Sequence, residues 1–356
     1  MTEKALVAMS GGVDSAVAAL LMQQQGFAVT GVTMRLFCDG ETIPSADNAT
    51  DDITPDIRDA RAVADRLGIP HLVCRLEKTF CERVVDDFVR TYLEGGTPNP
   101  CVICNKTIKF GALLDFATAN GLETIATGHY ARIAEEGDRH VVRRARDEKK
   151  DQSYMLWSLS QDVIARVKLP LGELTKQEVR AIAAANGFES VDRKDSQDIC
   201  FLPDGNYADF IRRYAGYTST PGRFVDREGN VLGTHPGMLH YTIGQRKGLG
   251  IALGRPMYVC DKNAQTGDVV LCDDKDLYSA TLTAKSVNFI PFDTLTAPIR
   301  VEAKIRYAHT AAPATITPTG EDTVRVEFDQ PQRAIARGQS VVFYDGDLLV
   351  GGGIIE

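Results

Sequence analysis

The segment Ala5-Leu6-Val7-Ala8-Met9-Ser10-Gly11-Gly12-Val13-Asp14-Ser15 decides the fold. Its first five residues are an unbroken apolar run, the pattern of a strand buried on both faces. The glycine-rich turn that follows leads into a stretch, residues 16–25, that reads as a helix stopped by Gly26. A buried strand passing through such a turn into a helix is how a parallel α/β sheet begins. Outward from it the alternation continues: a strand at 28–34, a helix at about 56–67 closed by Gly68, and a strand at 71–76. A longer helix near 78–93 ends at Gly95-Gly96, a helix at 110–120 precedes Gly121, and another buried strand covers 123–127. Thr175-Lys176-Gln177-Glu178 is a capping box before an Ala-rich helix that Gly187 ends. Residues 39–59 carry seven acidic side chains against one Arg, with two prolines, so their first part reads as a mobile loop.

Near residue 215 the pattern changes to short β-rich runs punctuated by Gly and Pro, at 223–226, 239–243, 257–260, 269–272, 301–307, 324–328 and 340–344. These predict antiparallel strands in one or two small barrels, with a break at 275–285. The expected organisation is therefore an α/β N-terminal domain over 1–210, a small β-rich central domain over 211–280 and a C-terminal β-barrel over 281–356.

The chain has 356 residues, 44% apolar and 25% charged, which excludes wholesale disorder, collagen and coiled coil. No run of about 18 apolar residues predicts a membrane-spanning helix, and the start Met-Thr-Glu-Lys has no secretory leader. Eight cysteines in such a chain point to reduced thiols, a metal site or catalysis rather than a disulfide scaffold, and so to the cytoplasm. A net charge of −8 argues against a uniformly basic nucleic-acid coat but leaves room for a local basic patch.

In Ser10-Gly11-Gly12-Val13-Asp14-Ser15, glycines let backbone N–H groups approach a phosphate and the helix N-terminus adds partial positive charge. Two serine hydroxyls add donors, and Asp14 is placed to cap the helix or hold Mg²⁺. The loop has neither the Gly-Lys-Ser/Thr of a Walker A motif nor Gly-x-Gly-x-x-Gly. It resembles the pyrophosphatase loop of the PP-loop ATPases, which implies ATP, adenylation of a substrate oxygen and release of pyrophosphate. The loop alone does not separate tRNA thiolases from GMP synthetase, NAD synthetase or argininosuccinate synthetase.

Three thiols stand out. Thr97-Pro98-Asn99-Pro100-Cys101-Val102-Ile103-Cys104-Asn105-Lys106 reads as a Pro-fixed loop just before a helix, where a thiol's pKa is lowered. Cys200 lies in Asp195-Ser196-Gln197-Asp198-Ile199-Cys200-Phe201. Cys38, Cys74, Cys81, Cys260 and Cys272 sit in or beside apolar stretches and read as small hydrophobes. With the loop, these segments closely resemble the bacterial tRNA-specific 2-thiouridylase family. Ala126-Thr127-Gly128-His129-Tyr130, Lys150-Asp151-Gln152-Ser153-Tyr154, Tyr241-Thr242-Ile243-Gly244-Gln245-Arg246 and Gly351-Gly352-Gly353-Ile354-Ile355 extend the resemblance from end to end.

The resemblance implies an N-terminal PP-loop domain of the adenine nucleotide alpha hydrolase-like kind. It implies 2-thiolation of the wobble uridine in glutamate, glutamine and lysine tRNAs. ATP adenylates the C2 oxygen, a persulfide sulfur on Cys200 attacks C2, and Cys104 matches the second catalytic cysteine, pairing with Cys200 in a transient disulfide. ATP and Mg²⁺ are the implied cofactors, with Ala8, Met9, Ser10, Gly11, Gly12, Val13, Asp14, Ser15, Met34 and Gly128 on the nucleotide. Asn99, Pro100, Cys101, His129, Lys150, Asp151, Gln152, Arg306, Tyr307 and Gln339 fall on the tRNA side, and a cysteine desulfurase or relay protein is the expected sulfur donor. Met34 by itself would read as a core methionine, and His129 as a structural histidine. Residues 139–150 hold six Lys or Arg against two acids, a run that usually marks a solvated face but suits phosphate tracking here.

One departure matters. The best-known branch carries Asn-Pro-Asp where this chain has Asn99-Pro100-Cys101, so no acid–base role carries over there. Cys101, Cys104 and Cys200 instead supply three thiolates that could hold a [4Fe-4S] cluster with one iron open. Persulfide chemistry is favoured over an obligatory cluster; a closed zinc site wants four ligands, and a thioredoxin-type pair lacks its usual setting. Two rivals stay open: a PP-loop ligase or amidotransferase acting on a small molecule, for which the cysteines are dispensable, and a catalytically dead tRNA-binding protein.

Overall fold

The computed structural model describes residues 2–36, 54–188, 199–202 and 205–356. Cys38, the first part of the acidic 39–59 stretch and Asp195–Asp198 lie outside them. The chain forms two compact units, one of Met1–Val84, Cys101–Gln197 and Asp347–Leu349, the other of Val85–Pro100, Asp198–Gly346 and Val350–Glu356.

In the first unit β1 (Lys4–Ala8), β2 (Ala28–Arg35), β3 (His71–Arg75), β4 (Thr124–Ala126) and β7 (Val167–Lys168) make a parallel sheet in the order β3-β2-β1-β4-β7. β1 is central, and Ala5, Leu6 and Val7 are fully buried, as their unbroken apolar run requires. Around it pack α1 (Val13–Gln24) and α2 (Pro55–Leu67), the latter capped by the Thr54 hydroxyl and ended by left-handed Gly68. β5 (Ala131–Glu136) and β6 (Arg139–Arg144) form an antiparallel hairpin. The predicted helix 78–93 is interrupted: α3 (Glu77–Phe80) and α4 (Asp86–Leu93) flank a π-helical turn at Cys81–Val85. α5 (Pro100–Cys104) runs through a π-helix at Asn105–Ala112 into α6 (Leu113–Ala119). The cysteine pair therefore lies within helix, not in a loop before one. A short α7 (Gln161–Ile164) precedes α8 (Lys176–Ala185), whose Thr175–Glu178 capping box makes both reciprocal bonds.

The second unit contains α9 (Tyr207–Ala215) and two β structures. β8 (Gly222–Val225), β9 (Val231–His235), β10 (Tyr258–Lys262) and β11 (Val269–Cys272) form a sheet in the order β10-β11-β8-β9 around Phe224, Val259 and Leu271. The expected strand at 239–243 is instead a 3₁₀ turn at Met238–His240. β12 (Tyr278–Phe289), β13 (Ile299–Lys304), β14 (Ala312–Pro318), β15 (Val324–Arg333), β16 (Ser340–Asp345) and β17 (Leu348–Ile355) run β12-β15-β14-β13-β16-β17. A β12–β17 pairing closes them into a six-stranded barrel. Among the described residues no helix is long and apolar enough to cross a membrane.

Candidate active site

At the end of β1 the backbone turns through Gly11, whose φ of +73° lies in the left-handed region. A Cβ there would stand 2.7 Å from Asp59 Cβ and 3.0 Å from the Asp56 carbonyl, so α2 also demands glycine. Gly12 is the N-cap of α1 and offers no side chain to its first-turn amides, which stay available to an anion. The Ser15 hydroxyl donates back to the Gly12 carbonyl at 2.9 Å and accepts from the Ser10 amide at 3.1 Å. Ser15 thus closes the loop, leaving exposed Ser10 as the hydroxyl on the open side.

Gly128, two residues past β4, packs against this turn: a Cβ would lie 3.0–3.1 Å from the Asp14 carbonyl carbon and oxygen and the Ser15 nitrogen. Met34, near the end of β2, is half-buried, whereas the Met9 side chain is core. Ser10 and Gly128 follow the carboxyl ends of their strands and Met34 lies one residue before the end of β2, so all three sit at the sheet edge where parallel α/β folds bind ligands.

Asp14 does not cap the helix. Its carboxylate accepts from the Lys176 ammonium at 2.8 Å through both oxygens and from the Tyr130 hydroxyl at 2.7 Å. Lys176 is the first residue of α8, buried along most of its length, and its amide donates to Asp147 at 2.9 Å. Sequence reading used this segment only as a capping box and missed the lysine. As a Mg²⁺ ligand Asp14 fits poorly while an ammonium holds both its oxygens.

Along the cysteine helix, Cys101 keeps surface in solvent and Cys104 is buried. Both thiols are pushed up, not down: burial is the chief cause at each, only partly offset by the Lys109 charge. At Cys101 the remaining exposure tempers that effect. The lowered pKa expected from a helix N-terminus is therefore not found. Five positions along an α-helix fall about 140° round, but the π-helical i→i+5 pattern turns Lys109 toward the face of Cys104. Lys109 also acts on His129, whose ring is buried, lies 5.7 Å from Phe110 and bonds Thr127 Oγ1 through Nδ1 at 2.7 Å. Burial first, then Lys109, holds His129 well below the usual histidine pKa, so it is a neutral imidazole.

Cys200 belongs to the second unit, exposed on a turn in which the Leu202 amide donates to the Ile199 carbonyl at 2.8 Å. Phe201 anchors it among Phe88 and Phe210 at 5.2 and 5.3 Å. Among the described residues no three His, Cys, Asp or Glu side chains converge on a metal-sized site.

The remaining sequence-predicted positions divide by what they touch. Asn99 is half-buried and Pro100 buried. Gln339 donates to the Thr97 and Pro98 carbonyls at 3.1 and 2.9 Å, pinning the backbone that leads into them. Asp151 accepts from the Ala145 and Ser153 amides, and Gln152 Oε1 accepts from the Tyr130 amide at 3.0 Å, so both side chains serve local folding. Half-buried Lys150 follows the hairpin. In the basic run before it, Arg143 pairs with Glu136 and Asp347, and Arg146 with Glu178. Arg306 donates to the Arg333 and Ala334 carbonyls at 3.3 Å, while Tyr307 is 40% exposed beneath the Lys304 ammonium, presenting a ring face.

Comparison with known proteins matches three domain families in chain order. Residues 3–204 match a tRNA methyl transferase HUP domain, 208–273 a tRNA methyl transferase PRC-barrel domain and 279–355 an aminomethyltransferase beta-barrel domain. The chain is 49% identical over 356 residues to the tRNA-specific 2-thiouridylase MnmA 1 of Clostridium botulinum, covering 100% of both chains. It is 48% identical to the tRNA-specific 2-thiouridylase MnmA of Clostridium acetobutylicum, again over 100% of each. Against the protein of that name from Clostridioides difficile it is 48% identical over 358 residues, 100% of this chain and 99% of the relative.

Proposed function

The chain belongs to the tRNA-specific 2-thiouridylase family, and from that premise we propose that the phosphate loop and the thiols of Cys104 and Cys200 carry out ATP-dependent 2-thiolation of a tRNA wobble uridine. The observation that carries this reading is the Gly11–Gly12 turn at an uncapped helix N-terminus, closed by Gly128, which offers backbone amides to phosphate with no side chain in the way. Sulfur transfer suits these residues better than the methyl transfer named for two of the matched domains, since a phosphate nest and reactive thiols answer to ATP and sulfur.

The uridine C2 oxygen attacks the α-phosphorus of ATP and pyrophosphate leaves; C2 then carries AMP, a good leaving group. The terminal sulfur of a Cys200 persulfide attacks C2 and AMP departs. The Cys104 thiolate attacks the Cys200 sulfur, the bond to the transferred sulfur breaks, and 2-thiouridine is released beside a Cys104–Cys200 disulfide, which an external dithiol reduces. Because burial holds the Cys104 thiol protonated at neutral pH, its proton must be drawn off for that last step, and Lys109 is the charge that favours it. Mg²⁺ accompanies the nucleotide phosphates. On the tRNA, Tyr307 offers a stacking face for an unpaired base, and half-buried Asn99 and Lys150 are further contacts, while buried Pro100 and His129 act by shaping the backbone beside them. The tRNAs are those for glutamate, glutamine and lysine, the donor is a cysteine desulfurase or relay protein, and the setting is the cytoplasm.

The test is anaerobic incubation with unmodified glutamate tRNA, ATP, Mg²⁺ and a persulfide donor, followed by mass analysis of digested nucleosides. Wild-type protein yields 2-thiouridine and Cys200→Ser none. ATP cleavage to AMP with a small-molecule acceptor but no thiolated nucleoside, and with the cysteines dispensable, overturns the assignment in favour of a PP-loop ligase.

A further inference from the structure

Two thiols that the reaction does not use lie side by side in the second unit. β10 and β11 are antiparallel neighbours, with Tyr258 opposite Cys272 and a register shift between Val259 and Asp261. Cys260 is therefore the bulged residue, diagonal to Cys272, and a bulge re-aims its side chain toward the partner strand. The Cys260 thiol donates to the Val270 carbonyl at 3.5 Å, across the ladder. Both are reduced; Cys272 is buried and Cys260 half-buried on β10, an edge strand of its sheet.

We propose that Cys260 and Cys272 form a reversible cross-strand disulfide, a modification site for peroxide-class oxidants in which Cys260 is attacked first and Cys272 resolves. The neighbours make the two thiols unequal. Burial, then the neighbouring Cys260 sulfur, push the Cys272 thiol up to about 12, whereas Cys272 acts on Cys260 in the opposite sense and lowers it. Burial raises Cys260 as well, so the site answers slowly, as a structural staple rather than a fast sensor. The Cys260 thiolate displaces hydroxide from hydrogen peroxide and becomes a sulfenic acid. The Cys272 sulfur then attacks it, the S–O bond breaks and water leaves with the Cys272 proton. One peroxide and two thiols give one disulfide and two waters, and an external dithiol returns the pair.

The experiment treats the reduced full-length protein with graded hydrogen peroxide, caps remaining thiols and analyses a non-reducing digest by mass. Exposed Cys200 serves as the internal measure of oxidant. The expected result is a peptide linking Cys260 to Cys272 that dithiothreitol abolishes, and a raised melting temperature that Cys272→Ser does not show. In Cys272→Ser a sulfenic-acid probe labels Cys260; in Cys260→Ser it leaves Cys272 unlabelled. Cys260 and Cys272 both still reduced after Cys200 is fully oxidised overturns the proposal, as does either one linked to a different cysteine. Equal labelling of the two single variants overturns the order of attack.

Discussion

The phosphate loop and the cysteine helix lie in the same unit and build reactivity in opposite ways. The loop acts through backbone: Gly11, Gly12 and Gly128 contribute by having no side chain, and Ser15 is spent on closing the turn. The helix acts through side chains whose behaviour its surroundings set, and burial moves Cys104 against the direction its sequence position suggests. Backbone chemistry is local and tolerates almost no added atom; side-chain chemistry is contextual and can be tuned. The largest expected effect therefore belongs to the loop. In Gly128→Ala the atoms nearest the new Cβ are backbone of Asp14 and Ser15 at 3.0–3.1 Å, which cannot yield as a flexible side chain would. Displacing the loop by part of an ångström is expected to lower kcat/KM on the order of 100-fold in the thiolation assay. Full activity in that variant would show that the loop is not held as tightly as the packing indicates.

Lys176 sharpens the comparison because its ammonium holds the loop's Asp14 through both oxygens. A buried Lys–Asp pair is weak glue, since desolvating both charges offsets most of their attraction. Lys176→Met leaves Asp14, among the described residues, with the Tyr130 hydroxyl as partner and removes a positive charge from beside the phosphate nest. ATP affinity is expected to fall about tenfold, the scale of one charged hydrogen bond, measured by calorimetry. Lys176→Met/Asp14→Asn separates the causes: recovered affinity means the lysine only neutralised the aspartate.

What was legible in the sequence follows the same division. β1, the loop, α1 and the capping box of α8 depend on neighbours within a few residues, and all could be read directly. The lysine that meets Asp14 comes from 162 residues away and left only the trace of sitting inside a capping box. The start of the cysteine helix was read ten residues late because Pro98 and Pro100 look like loop formers, although Pro100 occupies the helix's first turn, where no amide donor is needed. No α-helical spacing links Cys104 to Lys109, so a π-helix hides that relation from any 3.6-residue pattern. The arginines near 143 read as a charge run because their partners, Glu136, Glu178 and Asp347, are scattered along the chain.

A smaller effect tests the helix. Lys109 is the cation that opposes burial at Cys104, so Lys109→Met pushes that thiol's pKa further up. Alkylation of Cys104 near neutral pH, followed by peptide mass analysis, is expected to slow several-fold, with its pH midpoint moved upward. Lys109→Arg keeps the charge and should keep the rate. An unchanged midpoint in Lys109→Met would mean the π-helical register does not bring the charge to the thiol.

The smallest effect is one of stability and comes from His129. Its folded pKa lies below 6.5 because burial and Lys109 both disfavour the imidazolium. As pH falls through 6.5, the unfolded chain takes up that proton while the folded one does not. The stabilising contribution is thus fully present above 6.5 and declines on acidification toward the folded pKa, with a slope of at most ~1.4 kcal/mol per pH unit for one proton. His129→Gln keeps a polar group for Thr127 and removes the titration, so its urea-unfolding free energy should fall less steeply between neutral pH and pH 5. His71, His235 and His309 are lowered as well, so part of the wild-type slope persists in the variant. Identical slopes would place His129 in an environment that admits its charge, which the sealed packing against Phe110 contradicts. Lys109→Met should ease that slope in the same direction, since the charge that discourages imidazolium there is the one that encourages thiolate at Cys104.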